Sequence, residues 1–163
     1  MTVTPPMILR PGAVTREMLE ELIGEVAVDQ TLLKADSRTA PKAPGMKYRH
    51  YAPKANLVVV EGEVEKVTAW IRETAATKQQ EGKRVGIIAT EETKESYPDG
   101  DVKVAGTRAD EATIASSLYG ILREFDGDGV DEIYSEAFAS GGIGAAVMNR
   151  LLKAAGHQVI RIT

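Results

Sequence analysis

The densest group of chemically active side chains lies between Pro44 and Ala55. These twelve positions hold three cations, two tyrosines and one of the two histidines of the chain. Guanidinium and ammonium groups suit phosphate or carboxylate oxygens, and tyrosine and imidazole can stack or donate hydrogen bonds. The stretch has neither a helical period nor strand alternation. The pattern predicts a ligand contact, with a basic strap lying on acidic surface as the alternative; the candidate binding residues are Lys47, Tyr48, Arg49, His50 and Tyr51.

A second candidate is the glycine-rich turn from Ser140 to Gly144, between a predicted strand and a predicted helix. Free N–H groups and the positive end of a helix dipole attract anions, so Gly142 and Gly144 are candidate anion-binding residues. The turn follows the fourth strand and lacks the third spaced glycine of a dinucleotide fingerprint. The alternative, which the pattern favours, is a tight turn that allows close packing of the helix on the sheet.

Two further polar residues, Asn149 and Arg150, lie on the last predicted helix and could face a groove or a partner domain. A solvent-facing role is an equally good interpretation. No pairing of nucleophile and base occurs, so we expect no catalytic residues in this chain. We also expect no metal site, because the chain has no cysteine and the acidic run 126–131 lacks the frame of a calcium loop.

Composition narrows the functional classes. The net charge is −4, which gives no global basic field for nucleic acid. No apolar run approaches the ~18 residues of a membrane span, so we expect no membrane partner. The N-terminus lacks the charged and apolar regions of a signal peptide, and the absence of cysteine is compatible with a reducing cytoplasm.

Apolar strands alternate with amphipathic helices from Asn56 onwards, which predicts parallel βαβ units. Strands are expected at Leu57–Val60, Val85–Ala89, Val102–Val104, Glu132–Tyr134 and Gln158–Ile162. The fold class is therefore α/β, a Rossmann-like doubly wound five-stranded parallel sheet preceded by an extended N-terminal linker. Right-handed crossovers favour the strand order 3-2-1-4-5.

The residues also carry a family resemblance. The stretch PGMKYRHYAPKA resembles the interdomain linker of the two-domain form of L-threonylcarbamoyladenylate synthase. ILRPGAVT, from Ile8, resembles the end of that family's YrdC-like catalytic domain, and GIGAAVMNRLLKAA, from Gly142, resembles the last helix of its C-terminal domain. The resemblance divides the chain into a remnant of the catalytic domain (1–33), the linker (34–55) and a Rossmann-like domain (56–163). The YrdC-like catalytic domain itself is missing.

The resemblance implies a function for the two-domain enzyme. That enzyme would join L-threonine, bicarbonate and ATP, with magnesium, into threonylcarbamoyl-adenylate and pyrophosphate for tRNA modification in the cytoplasm. This chain would be accessory, without a cofactor of its own. Its linker would cover the active site of a YrdC-like domain in cis, and tRNA would be reached only indirectly. The alternative is a stand-alone nucleotide- or anion-binding module that uses the crevice at the strand ends.

Overall fold

The computed structural model describes residues 4–10, 12–29, 52–139 and 141–163. A small N-terminal unit comes first, in which β1 (Met7–Ile8) pairs in parallel with β2 (Ala27–Val28). Between them lies α1 (Arg16–Ile23). Thr15 caps this helix by accepting a hydrogen bond from the Met18 N–H, and Gly24 ends it.

The main body is a five-stranded parallel sheet with helices on both faces. Its strands are β3 (Asn56–Glu61), β4 (Val85–Ala89), β5 (Asp101–Val104), β6 (Glu132–Glu136) and β7 (Val159–Arg161). The helices are α2 (Val64–Gln80), α3 (Glu111–Asp128) and α4 (Gly142–Ala154), and a short 3-10 turn spans Lys94–Ser96. The predicted Rossmann-like, doubly wound class is therefore confirmed.

The predicted strand order is wrong. The observed order is β5-β4-β6-β3-β7. Numbered along the chain within this sheet, that order is 3-2-4-1-5, so β6 lies between β4 and β3. The prediction had placed β3 beside β4. Both edge strands were predicted correctly, and the two strands that exchange places, β3 and β6, pair in parallel with Leu57 opposite Ile133.

Two apolar clusters hold the helices on the sheet. One cluster lies under α3 and α4 and includes Ile114, Phe125 and Leu151; the other lies under α2 and includes Ile71 and Ile87. Each fully buried aliphatic or aromatic side chain contributes on the order of 1.5–3 kcal/mol. Gly86 lets the Phe125 ring lie against the sheet, since a Cβ there would be 2.5 Å from the ring.

Within the described ranges, no helix is long and apolar enough to cross a membrane.

Candidate functional site

The five linker residues from Lys47 to Tyr51 fall outside the described residues, so their placement stays a prediction. Residues 52–55 lead into the amino end of β3. Pro53 is buried there, and the backbone N–H of Lys54 donates to Asp126 Oδ1 at 2.7 Å. The chain thus joins the Rossmann-like domain at the edge opposite the strands' carboxyl ends.

The carboxyl ends of the central strands carry a buried polar cluster. Glu136, the last residue of β6, is 1% exposed. Its carboxylate accepts from Tyr97 Oη at 2.7 Å and from Arg108 Nη2 at 2.6 Å. Burial, reinforced by the charge of Glu136, raises the pKa of Tyr97 and keeps its hydroxyl protonated as a donor. The charge buried at Glu136 is therefore paired and hydrogen-bonded.

Arg108 also ties together the loops that follow β5 and β6. Its Nη1 donates to the Ala137 carbonyl at 3.2 Å, and its guanidinium lies 5.6 Å from the centre of the Phe138 ring. This position is the crevice where open α/β sheets commonly bind ligands, between strands whose connections leave in opposite directions. Here the chain's own side chains occupy it.

Glu92 fixes the loop that carries Arg108. Its carboxylate accepts from the Thr107 hydroxyl and, at 2.9 Å, from the Arg108 N–H. The hydrogen bond from Thr107 is the main reason that the pKa of Glu92 falls to about 2. The carboxylate therefore stays ionised in the folded protein at every ordinary pH.

The structure places Gly142 and Gly144 in the first turn of α4, whereas the sequence predicted a turn between the strand and the helix. Gly142 has φ 55°, in the left-handed region that favours glycine. The N–H of Gly144 donates to Glu111 Oε2 at 2.9 Å. A carboxylate of the chain itself thus lies where an external anion was expected, and a Cβ at position 144 would be 2.6 Å from Glu111 Oε1.

The remaining candidates are on the outer side of α4, where Asn149 is half-buried and Arg150 is exposed. The structure does not bring them to the polar cluster of Glu136. Sequence reasoning missed Arg108, Glu111 and Glu136. Only Glu136 had a usable signal, as a carboxylate two residues after the predicted strand Glu132–Tyr134, at the end of the sheet where ligands usually bind.

The fold and the paired polar groups at the carboxyl ends of its strands define a Rossmann-like α/β domain. A family model described as the C-terminal domain of threonylcarbamoyl-AMP synthase matches residues 14–156. The chain therefore belongs to the threonylcarbamoyl-AMP synthase family through that C-terminal domain. The predicted family is confirmed.

Individual relatives agree. A Bacillus subtilis threonylcarbamoyl-AMP synthase is 47% identical over 156 residues, which is 96% of this chain and 43% of that protein. The structure of Pyrococcus abyssi Sua5 complexed with L-threonine has a TM-score of 0.85 at 41% identity, covering 100% of this chain and 46% of that one. A C-terminal Sua5 domain from Pyrococcus horikoshii covers 68% of this chain and 100% of its own, with a TM-score of 0.55 at 34% identity. The chain thus spans less than half the length of the two longer relatives.

Proposed function

We propose that this chain is the accessory C-terminal part of a threonylcarbamoyl-AMP synthase and does not itself catalyse. The observation that carries the proposal is that the family match falls on the C-terminal domain, while the longer relatives extend well beyond the matched region. The reaction would join ATP, L-threonine and bicarbonate into threonylcarbamoyl-adenylate and pyrophosphate, and would take place in the cytoplasm. The product would serve tRNA modification, with tRNA contacted only indirectly by this chain.

The exposed apolar face of the N-terminal unit supports the proposal that a partner domain packs against it. Helix α1 is strongly amphipathic, yet none of its residues is buried. Its apolar side chains are exposed to an unusual degree, with Met18 at 50%, Leu22 at 82% and Ile23 at 56%. A short helix and a pair of two-residue strands cannot stabilise themselves by burial. We propose that this face packs against a YrdC-like catalytic domain, to which residues 1–33 would belong.

The partnered groups at the carboxyl edge support an accessory role over a stand-alone binding module. A nucleotide site in such a crevice needs free donors for phosphate. Here the Gly144 N–H and two nitrogens of the Arg108 guanidinium already donate to groups of the chain. Nucleotide phosphates would have to displace two carboxylates, Glu111 and Glu136, from their donors.

Within this proposal, the residues from Lys47 to Tyr51 cover the active site of the catalytic domain. One structure of P. abyssi Sua5 carries alanines in place of a consecutive histidine and tyrosine. His50-Tyr51 is the single such pair in this sequence. Magnesium, which the resemblance implies for the two-domain enzyme, has no cluster of ligands among the described residues. Magnesium and the phosphate chemistry would belong to the catalytic domain, as the family resemblance implies.

A chimera tests the proposal. This chain would replace the matched C-terminal region of the B. subtilis enzyme, and pyrophosphate release from ATP would be measured with threonine and bicarbonate. We expect turnover by the chimera and none above background by the chain alone. Turnover by the chain alone, or a folded chimera without activity, would contradict the proposal. Saturable binding of ATP to the chain alone would favour the stand-alone module.

A further inference from the structure

The chain enters the Rossmann-like domain through a short, firmly attached segment at the amino edge of the sheet. Pro53 is buried, and Ala55 packs against the cluster under α3 and α4. The Asn56 N–H donates to the Asp131 carbonyl at 3.1 Å. The Asn56 side chain also donates from Nδ2 to Glu132 Oε2 at 3.0 Å and accepts at Oδ1 from Gln158 Nε2 at 2.9 Å. Residues from Pro53 onwards are therefore part of the domain.

Asp126 makes the outermost side-chain attachment of this segment. Its Oδ1 accepts the backbone N–H of Lys54 at 2.7 Å, a short, charge-assisted hydrogen bond. Its Oδ2 pairs with Arg123 Nη1 at 3.3 Å, and its side chain is only 12% exposed. The contact joins residues 72 positions apart in sequence, so it fixes the segment to the end of α3.

The position of this carboxylate is unfavourable for α3 itself. Asp126 lies in the last turn of the helix, where the dipole disfavours negative charge, and that turn holds no basic residue. The i,i+3 pair with Arg123 offsets part of this cost. The shorter of the two contacts is the one that Asp126 makes with the backbone N–H of Lys54.

We propose that Asp126 is a positioning residue that fixes the point from which the linker leaves the domain. The inference rests on the proposed function, because the linker acts only beside a catalytic domain. Lys54 is three residues from Tyr51, a span of at most about 10 Å of extended chain. Release of Lys54 would let the start of the linker shift by ångströms, and a misplacement of about 1 Å can cost a hundredfold in rate.

The test compares three variants in the chimera and in the chain alone. Asp126→Ala removes the acceptor, whereas Asp126→Asn keeps an oxygen that can accept from Lys54. Asp128→Ala is the matched control, because it removes a carboxylate at the same helix end that pairs with Lys103 at 2.8 Å, while the backbone of Lys54 donates to Asp126. The readouts are kcat, KM and amide exchange at Lys54, with the amides of β3 as the folding control.

We expect Asp126→Ala to lower kcat of the chimera at least tenfold and to speed exchange at Lys54, while β3 stays protected. Asp126→Asn and Asp128→Ala should stay within about threefold of the unmodified chimera. Unchanged amide exchange at Lys54 in Asp126→Ala would show that Asp126 does not hold the Lys54 backbone. An equal loss of kcat in Asp128→Ala would show that the effect is not specific to Asp126. A normal kcat in Asp126→Ala would overturn the positioning role. An inactive unmodified chimera would overturn the proposed function and the positioning role with it, while exchange at Lys54 would still decide the anchor.

Discussion

At the scale of single residues, the ion pair between Arg108 and Glu136 is notable because it buries the Glu136 carboxylate. Taking a carboxylate out of water costs several kcal/mol, which only a paired and hydrogen-bonded geometry offsets. Glu136 has both, since Tyr97 and Arg108 each donate to a different oxygen. The cluster therefore holds the carboxyl edge in one arrangement for as long as both donors remain.

Removing one partner of this pair should be costly. Arg108→Ala leaves a buried charge without its counterion, and we expect a loss of about 3–5 kcal/mol in the free energy of unfolding. Arg161→Ala is the control, because its pair with Glu61 at 3.0 Å is largely exposed and contributes at most about 1 kcal/mol. Urea denaturation of both variants measures the difference. Equal losses would mean that the Glu136 pair adds no more than a surface pair.

The depressed pKa of Glu92 predicts a stability change in acid. A folded pKa of about 2 against an ordinary value of 4.5 means that the contribution is complete above pH 4.5 and is lost as pH falls towards 2. Glu92 is exposed, so solvent screening limits the effect to under about 1 kcal/mol. The stability difference between wild type and Glu92→Gln should therefore shrink between pH 4.5 and pH 2. A constant difference, measured by urea denaturation across that range, would contradict this assignment.

The size of the rate loss in linker variants distinguishes a linker that covers the active site from one that only connects two domains. In the chimera, Arg49→Ala or Tyr51→Ala should lower kcat/KM about one hundred- to one thousandfold, the usual cost of removing a donor from an enclosed site. Lys54→Ala is the control, since its side chain is exposed and its contact with Asp126 uses the backbone. Steady-state kinetics and circular dichroism would decide. Near-normal rates in both variants would mean that the linker only connects the two domains.

At the scale of elements, one carboxylate serves two helices. Glu111 lies in the first turn of α3, and its side chain accepts from the Gly144 N–H in the first turn of α4. Both amino termini carry positive partial charge, so the Glu111 carboxylate is favourable for each. This arrangement requires a glycine at position 144, because Glu111 and the Ala139 carbonyl approach too closely for a side chain.

Two glycine-to-alanine substitutions should therefore change the free energy of unfolding in opposite directions. Gly144→Ala would place a Cβ 2.4 Å from the Ala139 carbonyl oxygen, and we expect a loss of about 1–3 kcal/mol. Gly120→Ala, in the interior of α3 with nothing within 4 Å, should gain about 0.5–1 kcal/mol from backbone entropy. Urea midpoints measure both changes. A stabilising Gly144→Ala would show that Glu111 and Ala139 move aside easily.

The sequence predicted the elements better than their arrangement. Periodicity located the five strands and the main helices, because the burial pattern of each element is local. It could not order β3, β4 and β6, because most residues of all three strands are buried, and a burial pattern does not say which strand pairs with which. The cluster of Tyr97, Arg108 and Glu136 was missed for a related reason, because its members come from three separate segments that meet only in the fold.

At the scale of the whole molecule, the stability of the domain should reside in residues 52–163. Both apolar clusters are built from residues 55 onwards, and β1, α1 and β2 contribute nothing to either. The attachment of Pro53, Lys54 and Asn56 closes the amino edge of the sheet without the N-terminal unit. The P. horikoshii C-terminal domain, which covers 68% of this chain, has been solved without the rest.

Deletion of residues 1–51 should therefore leave the domain folded. Because no cluster residue is lost, we expect the free energy of unfolding to change by less than about 1 kcal/mol, which for a domain of this size shifts Tm by less than about 4–8 °C. Differential scanning calorimetry of the full chain and the shortened chain measures this. Deletion of residues 1–55, which also removes Pro53 and the Lys54 donor, is the comparison and should be clearly less stable. If the shorter deletion already lowers Tm substantially, residues 4–29 belong to the core of this domain, and their proposed place in a catalytic domain is wrong.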